Sequence, residues 1–96
     1  MSEMIPTRLY SELSDFHRFY HSCPSKEMKI EVLDSFIDRT LMHLTDESIH
    51  AIIPLLNESE KRDLKNRASR KHHLDMALEN KDSIAKLRYL IAELDH

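Results

Sequence analysis

His17 and His21 stand four residues apart, and Cys23 follows two positions later. Residues at i and i+4 share a helix face, so two imidazoles at this spacing reach one metal ion. Cys23, however, projects on the Phe16 side, well round from His21. Neither a Cys-x-x-Cys nor a His-Glu-x-x-His pattern accompanies the pair. Boundary histidines beside a buried stripe fit better, and no metal is expected from His17, His21 and Cys23. As a nucleophile Cys23 has His17, His21 and Asp15 nearby in the chain. Yet it precedes Pro24 near a helix end, whereas thiolates are stabilised at helix N-termini, so an inert buried thiol is expected. Asp34 and Asp38 form a carboxylate pair on the polar side of their helix, where solvated charge is the ordinary case. The chain carries no recognisable catalytic spacing, and neither a catalytic residue nor a cofactor is expected.

The second constellation is the stretch DLKNRASRKHHLDM, residues 63–76. Lys65, Arg67, Arg70, Lys71, His72 and His73 fall within it, with no acid between 65 and 73. Segment 58–73 holds six Lys/Arg against three acids, a balance of +3, in a chain of net charge −3, so the remainder carries −6. A polyanion partner is therefore favoured by one segment and opposed by the rest. Projected at about 100° per residue, the charges wrap the helix. Lys61, Lys65 and His72 cluster on one side, Arg67, Arg70 and Lys71 on another, and Arg62 falls with His73. A DNA-recognition helix wants a polar edge aimed into the groove and an apolar back. No aromatic residue lies between Phe36 and Tyr89, so stacking on single strands has no support from this segment. The adjacent His72 and His73 diverge too far to clamp one ion, and solvated rings are expected there.

The elements that carry these residues can be read from composition and periodicity. The chain has 96 residues and no glycine. Hairpins, bulges and phosphate-cradling loops all lean on glycine, so its absence argues for an all-α fold and excludes Walker-type and Rossmann-type nucleotide loops. Leu9, Leu13, Phe16, Tyr20 and Cys23 mark a first amphipathic helix, with Phe19 on the same face. Ser22-Cys-Pro-Ser25 ends it, and Pro24 suits the first turn of the next. A central helix over 25–44 carries Met28, Ile30, Val32, Leu33, Phe36, Ile37, Leu41 and Leu44, an arc wide enough to need cover from two sides. Thr45 caps a short third helix with Ile49, Ile52, Ile53 and Leu56, which Pro54 kinks or ends near Ile53. Asn57 and Glu60 form a capping box for a long, polar fourth helix, where Lys71 and Asp75 interrupt the stripe of Leu64, Ala68 and Leu78. Asn80 to Ser83 is the plausible break, with Asp82 or Ser83 capping a final helix. In that last helix Ile84, Leu87, Ile91 and Leu94 step like a short coiled-coil seam.

The expectation is a single helical domain over 1–96, a small all-α bundle of four to five helices with residues 1–6 as a flexible N-terminus. One cysteine, no signal-like N-terminus and no long apolar run place it in the cytoplasm, away from membranes. Its expected role is a protein-protein interaction module: an adaptor, inhibitor, chaperone or regulatory subunit that acts by binding a partner protein without catalysis. The basic run is first a solvated surface and second a docking site for an acidic partner, and self-association as a homodimer is expected because a long helix with a poor apolar face gains little alone. Lys65, Arg67, Arg70 and Lys71 of the basic run and Leu87, Ile91 and Leu94 of the seam are the contact candidates. The rival reading is a nucleic-acid-associated regulator using 61–73.

Overall fold

A computed structural model describes residues 7–95; the expected flexible N-terminus, 1–6, lies outside them. The elements run α1 (Thr7–Ser22), α2 (Lys26–Arg39), a 3-10 turn (Leu41–His43), α3 (Asp46–Ile52), a second 3-10 turn (Ile53–Leu55), α4 (Glu58–Ala77) and α5 (Lys81–Leu94). No strand occurs among the described residues, and the fold is an all-α bundle. None of these helices is long and apolar enough to cross a membrane.

The starts are set by short polar side chains. Ser25 Oγ accepts from Met28 N–H at 3.2 Å and Thr45 Oγ1 from Ser48 N–H at 3.2 Å. Asn57 and Glu60 form both halves of the capping box. Pro24 precedes the cap of α2 rather than entering its first turn. α2 is shorter than the 25–44 expected, because after Arg39 the chain tightens into 3-10 geometry that still delivers Leu41 fully buried. Pro54 acts as expected: α3 ends at Ile52 and the proline sits in the adjoining 3-10 turn.

α4 is not continuous through Asn80. It closes in a Schellman arrangement, Asn80 N–H to Asp75 C=O at 2.9 Å and Glu79 N–H to Met76 C=O at 3.2 Å. The left-handed position that glycine usually fills is taken by Glu79, with φ 57°. α5 starts without a side-chain cap, so neither Asp82 nor Ser83 serves as one.

The core joins Leu9, Leu13, Phe16 and Tyr20 of α1 to Leu33, Phe36 and Ile37 of α2, with Phe16 stacked on Phe36 at 4.2 Å between centroids. α2 packs on α1 and on α4, and α4 pairs most extensively with α5. Three expected core positions are exposed instead, Leu78 at the end of α4 and two on α1 and α2. Phe19 and Met28 line an open groove between α1 and α2. In α5 the buried stripe is Leu87, Leu90 and Leu94, while Ile84 and Ile91 are half-buried.

Candidate functional site

The basic run of α4 is held largely by acids of the same chain. Arg67 donates two hydrogen bonds to Asp34, Nε to Oδ1 and Nη2 to Oδ2, each 2.9 Å. One turn on, Lys71 Nζ reaches Asp38 Oδ1 at 2.7 Å. The spacing of four in both helices makes a two-rung ladder, so the carboxylates expected to be solvated hold α2 against α4. The hydrogen bond to Asp34 raises the Arg67 guanidinium above its ordinary range, against the opposing effect of burial. Lys65 pairs with Asp95, Lys61 with Glu58 at 3.3 Å and Arg62 with Asp63 at 3.6 Å. Among the described residues, Arg70 is the one Lys/Arg of this run without an ion pair, and it is exposed. His72 is half-buried, and its Nε2 is enclosed with no hydrogen-bond partner, unlike the solvated ring expected.

The seam candidates lie inward. Leu87 and Leu94 are buried in the core, and Ile91 packs against it half-buried. The large apolar side chains that this pair presents outward are at the tip where α4 ends. Leu74, Met76 and Leu78 are 65%, 52% and 77% exposed, and Arg70, His73 and Lys81 stand exposed in the same stretch of chain. Sequence reasoning gave Leu78 to the buried stripe and passed over Leu74. Periodicity did not carry the signal: at about 100° per residue Leu78 projects close to Leu64, and its exposure comes from what stands opposite it, not from its face. An open cleft of about 700 Å³ lies beside the Lys71 end of α4, lined by Asp38, Asp75, Asp82 and Lys86 among others.

At the opposite end of α4 the histidines of α1 meet a carboxylate that sequence reasoning used only as a cap. Glu60 has 0% of its surface exposed. Its Oε1 accepts from the backbone N–H of Asn57 at 2.9 Å, completing the capping box. Its Oε2 is shared by His17 Nδ1, in a close contact, and His21 Nε2 at 3.1 Å. Tyr20, between the two histidines, donates to Asp63 at 2.5 Å and lies 3.3 Å from the Ser59 carbonyl. Burial first, and then the bond to Asp63, raise the Tyr20 hydroxyl above its ordinary range. The half-buried Cys23 stands apart from this cluster, its Sγ donating to the Phe19 carbonyl at 3.0 Å. The third group beside His17 and His21 is therefore Glu60, which arrives from 39 positions beyond His21.

Comparison with known protein families, with curated proteins and with solved structures finds no match for the chain.

Proposed function

We propose that the chain is a small cytosolic protein-binding module, an adaptor, inhibitor, chaperone or regulatory subunit, that seats the α4–α5 tip on a partner without catalysis. The observation that carries this reading is the exposure of Leu74, Met76 and Leu78 at the end of a helix whose first half is closely packed. Leu74 and Leu78, four residues apart, share one side of the helix end while Met76 projects from the other. Paired apolar side chains left open mark an interaction surface more than scattered single residues do. Arg70, His73 and Lys81 beside them are exposed, and so are Glu79 and Asp82, so the tip carries charges of both signs. The complementary surface is an amphipathic helix with an apolar stripe and edges of mixed charge. The cytosolic setting rests on the sequence, with its single cysteine.

The nucleic-acid alternative loses support from the ion pairs. Lys61, Arg62, Lys65, Arg67 and Lys71 each face a carboxylate of this chain, which would have to be displaced before a phosphate gained the charge.

Immobilised chain, an L74S/L78S double variant and an R70E variant, offered the same native lysate, test the reading. A protein held by the parent chain, lost from the double variant and weakened by R70E is the expected result. A bound protein indifferent to both variants overturns the assignment of the tip. Sedimentation of the purified chain distinguishes a second copy: a dimer abolished by L74S/L78S makes the partner the chain itself. A salt-sensitive shift of duplex or single-stranded nucleic acid that R70E removes would install the rival.

A further inference from the structure

We propose that His17, His21 and Glu60 form a binding site for one divalent transition-metal ion of the zinc class, joining α1 to the first turn of α4. One ligand atom from each residue lies within 4.8 Å of the other two. Glu60 is wholly buried, whereas the side chains of His17 and His21 are 34% and 51% exposed, so the cluster has a closed floor and an open mouth.

The hydrogen-bond accounting points to a cation. The amide of Asn57 is oriented by its own cap: Oδ1 accepts from Glu60 N–H at 2.9 Å and from Ser59 Oγ at 2.9 Å. Its Nδ2, which only donates, therefore faces His21 Nε2 at 3.2 Å. That same Nε2 lies 3.1 Å from Glu60 Oε2, which only accepts when ionised. A proton on Nε2 serves Glu60 and opposes the Asn57 amide, whereas a lone pair serves Asn57 and opposes the carboxylate. A metal ion among the three residues takes the lone pairs of both imidazoles and of Oε2, and Nδ2 of the exposed Asn57 donates to water while Oδ1 keeps its cap. Meanwhile Oε1 stays anchored on the Asn57 N–H, the kind of outer hydrogen bond that orients a ligating carboxylate.

The dimensions fit. Tetrahedral coordination with bonds near 2.0–2.1 Å puts ligand atoms roughly 3.3 Å apart. The His21–Glu60 separation of 3.1 Å meets this. His17, now closer to Glu60, has to withdraw on its exposed side, and the separations among the three ligand atoms, which reach no more than 4.8 Å, have to settle near the tetrahedral value. Two imidazole nitrogens and one carboxylate oxygen suit Zn²⁺, and Co²⁺ or Ni²⁺ in its place, but not Ca²⁺ or Mg²⁺, which prefer oxygen ligands throughout. Three protein ligands leave a fourth position at the open mouth for water or for a group from another molecule. Because the ligands come from both ends of a long stretch of chain, binding would also favour the folded state.

The test is a Zn²⁺ titration of the full chain after chelator treatment, followed by Co²⁺ as a spectroscopic probe. One ion per chain is expected, with the intense visible absorption of four-coordinate Co²⁺. H17Q, H21Q and E60Q should each weaken Zn²⁺ by at least about tenfold, while H50Q, on the far pair His50–Glu93, leaves it unchanged. E60Q retains an oxygen for the Asn57 N–H, and circular dichroism checks each variant's helicity. Should E60Q fail to fold, H21Q at the exposed mouth decides alone. Absence of stoichiometric Zn²⁺, or binding that survives H21Q, overturns the site and leaves the cluster as a hydrogen-bonded tie between α1 and α4.

Discussion

From Glu58 to Lys71, α4 lies against the molecule through Glu60, Leu64 and Ala68, with Arg67 and Lys71 clasping Asp34 and Asp38 of α2. From Leu74 onward the same helix turns large apolar side chains to solvent. The longer first part is rich in charge yet packed, while the end carries Leu74, Met76 and Leu78 and is open. Length explains the inversion. At 1.5 Å per residue, the 20 residues of α4 extend about 9 Å beyond the 14 of α2. Burial here depends on what stands opposite a residue, and hydrophobicity alone misplaces both halves.

The severest way to test that contrast is Leu64→Ala. Leu64 is fully buried in the packed half, and losing a core leucine costs about 2–5 kcal/mol. Denaturant unfolding should show a large fall in midpoint. A loss below about 1 kcal/mol would mean that the ion-pair ladder, not the apolar contact, holds this half.

The capping box at Asn57 and Glu60, the stop at Pro54 and the break near Asn80 were legible because each is set by residues close in the chain, and the all-α class because composition and periodicity carry it. What could not be read was pairing across distance. Asp34 and Asp38 look solvated until α4 is laid beside them, and Glu60 looks like a cap until α1 brings His17 and His21 to its free oxygen. The exclusion of Cys23 from the histidine cluster was legible from helical projection, whereas the identity of the third group, Glu60, was not. Leu90 was missed for another reason: the step from Leu87 to Ile91 imitates a seam, and the buried stripe instead passes through Leu90.

Glu79 offers the next largest effect, and in the opposite direction. Its φ of 57° puts a side-chain-bearing residue in the left-handed region at the end of the open half. That conformation costs a non-glycine residue about 1 kcal/mol or slightly more. Glu79→Gly should raise stability by about 1 kcal/mol, seen as a melting temperature roughly 4–8 °C higher. No gain would show that the Glu79 side chain contributes to the turn in some further way.

A double-mutant cycle on Arg67 and Asp34 probes the ladder itself. The pair is bidentate and partly exposed, with about a quarter to a third of each side chain accessible, so solvent screening limits its coupling to about 1 kcal/mol. Each single alanine variant should destabilise, and the double should cost less than the two together. Strict additivity would mean that α2 and α4 are held by their apolar contacts and that the carboxylates merely accompany them.

The smallest expected stability effect is the most discriminating. Leu74 and Leu78 are so exposed that L74S/L78S removes little buried apolar surface, and the folded state should change by no more than about 0.5 kcal/mol per site. If the tip is a docking surface, the same change removes partner binding altogether. Stability and binding thus separate at the open end, whereas at Leu64 a substitution disturbs both through the fold. A double variant that unfolds at markedly lower denaturant would show the tip to be packed in solution, and the two halves of α4 would then be alike. Hydrogen exchange supplies an independent reading, since amides near Leu64 and Ala68 should be protected far longer than those from Leu74 to Leu78.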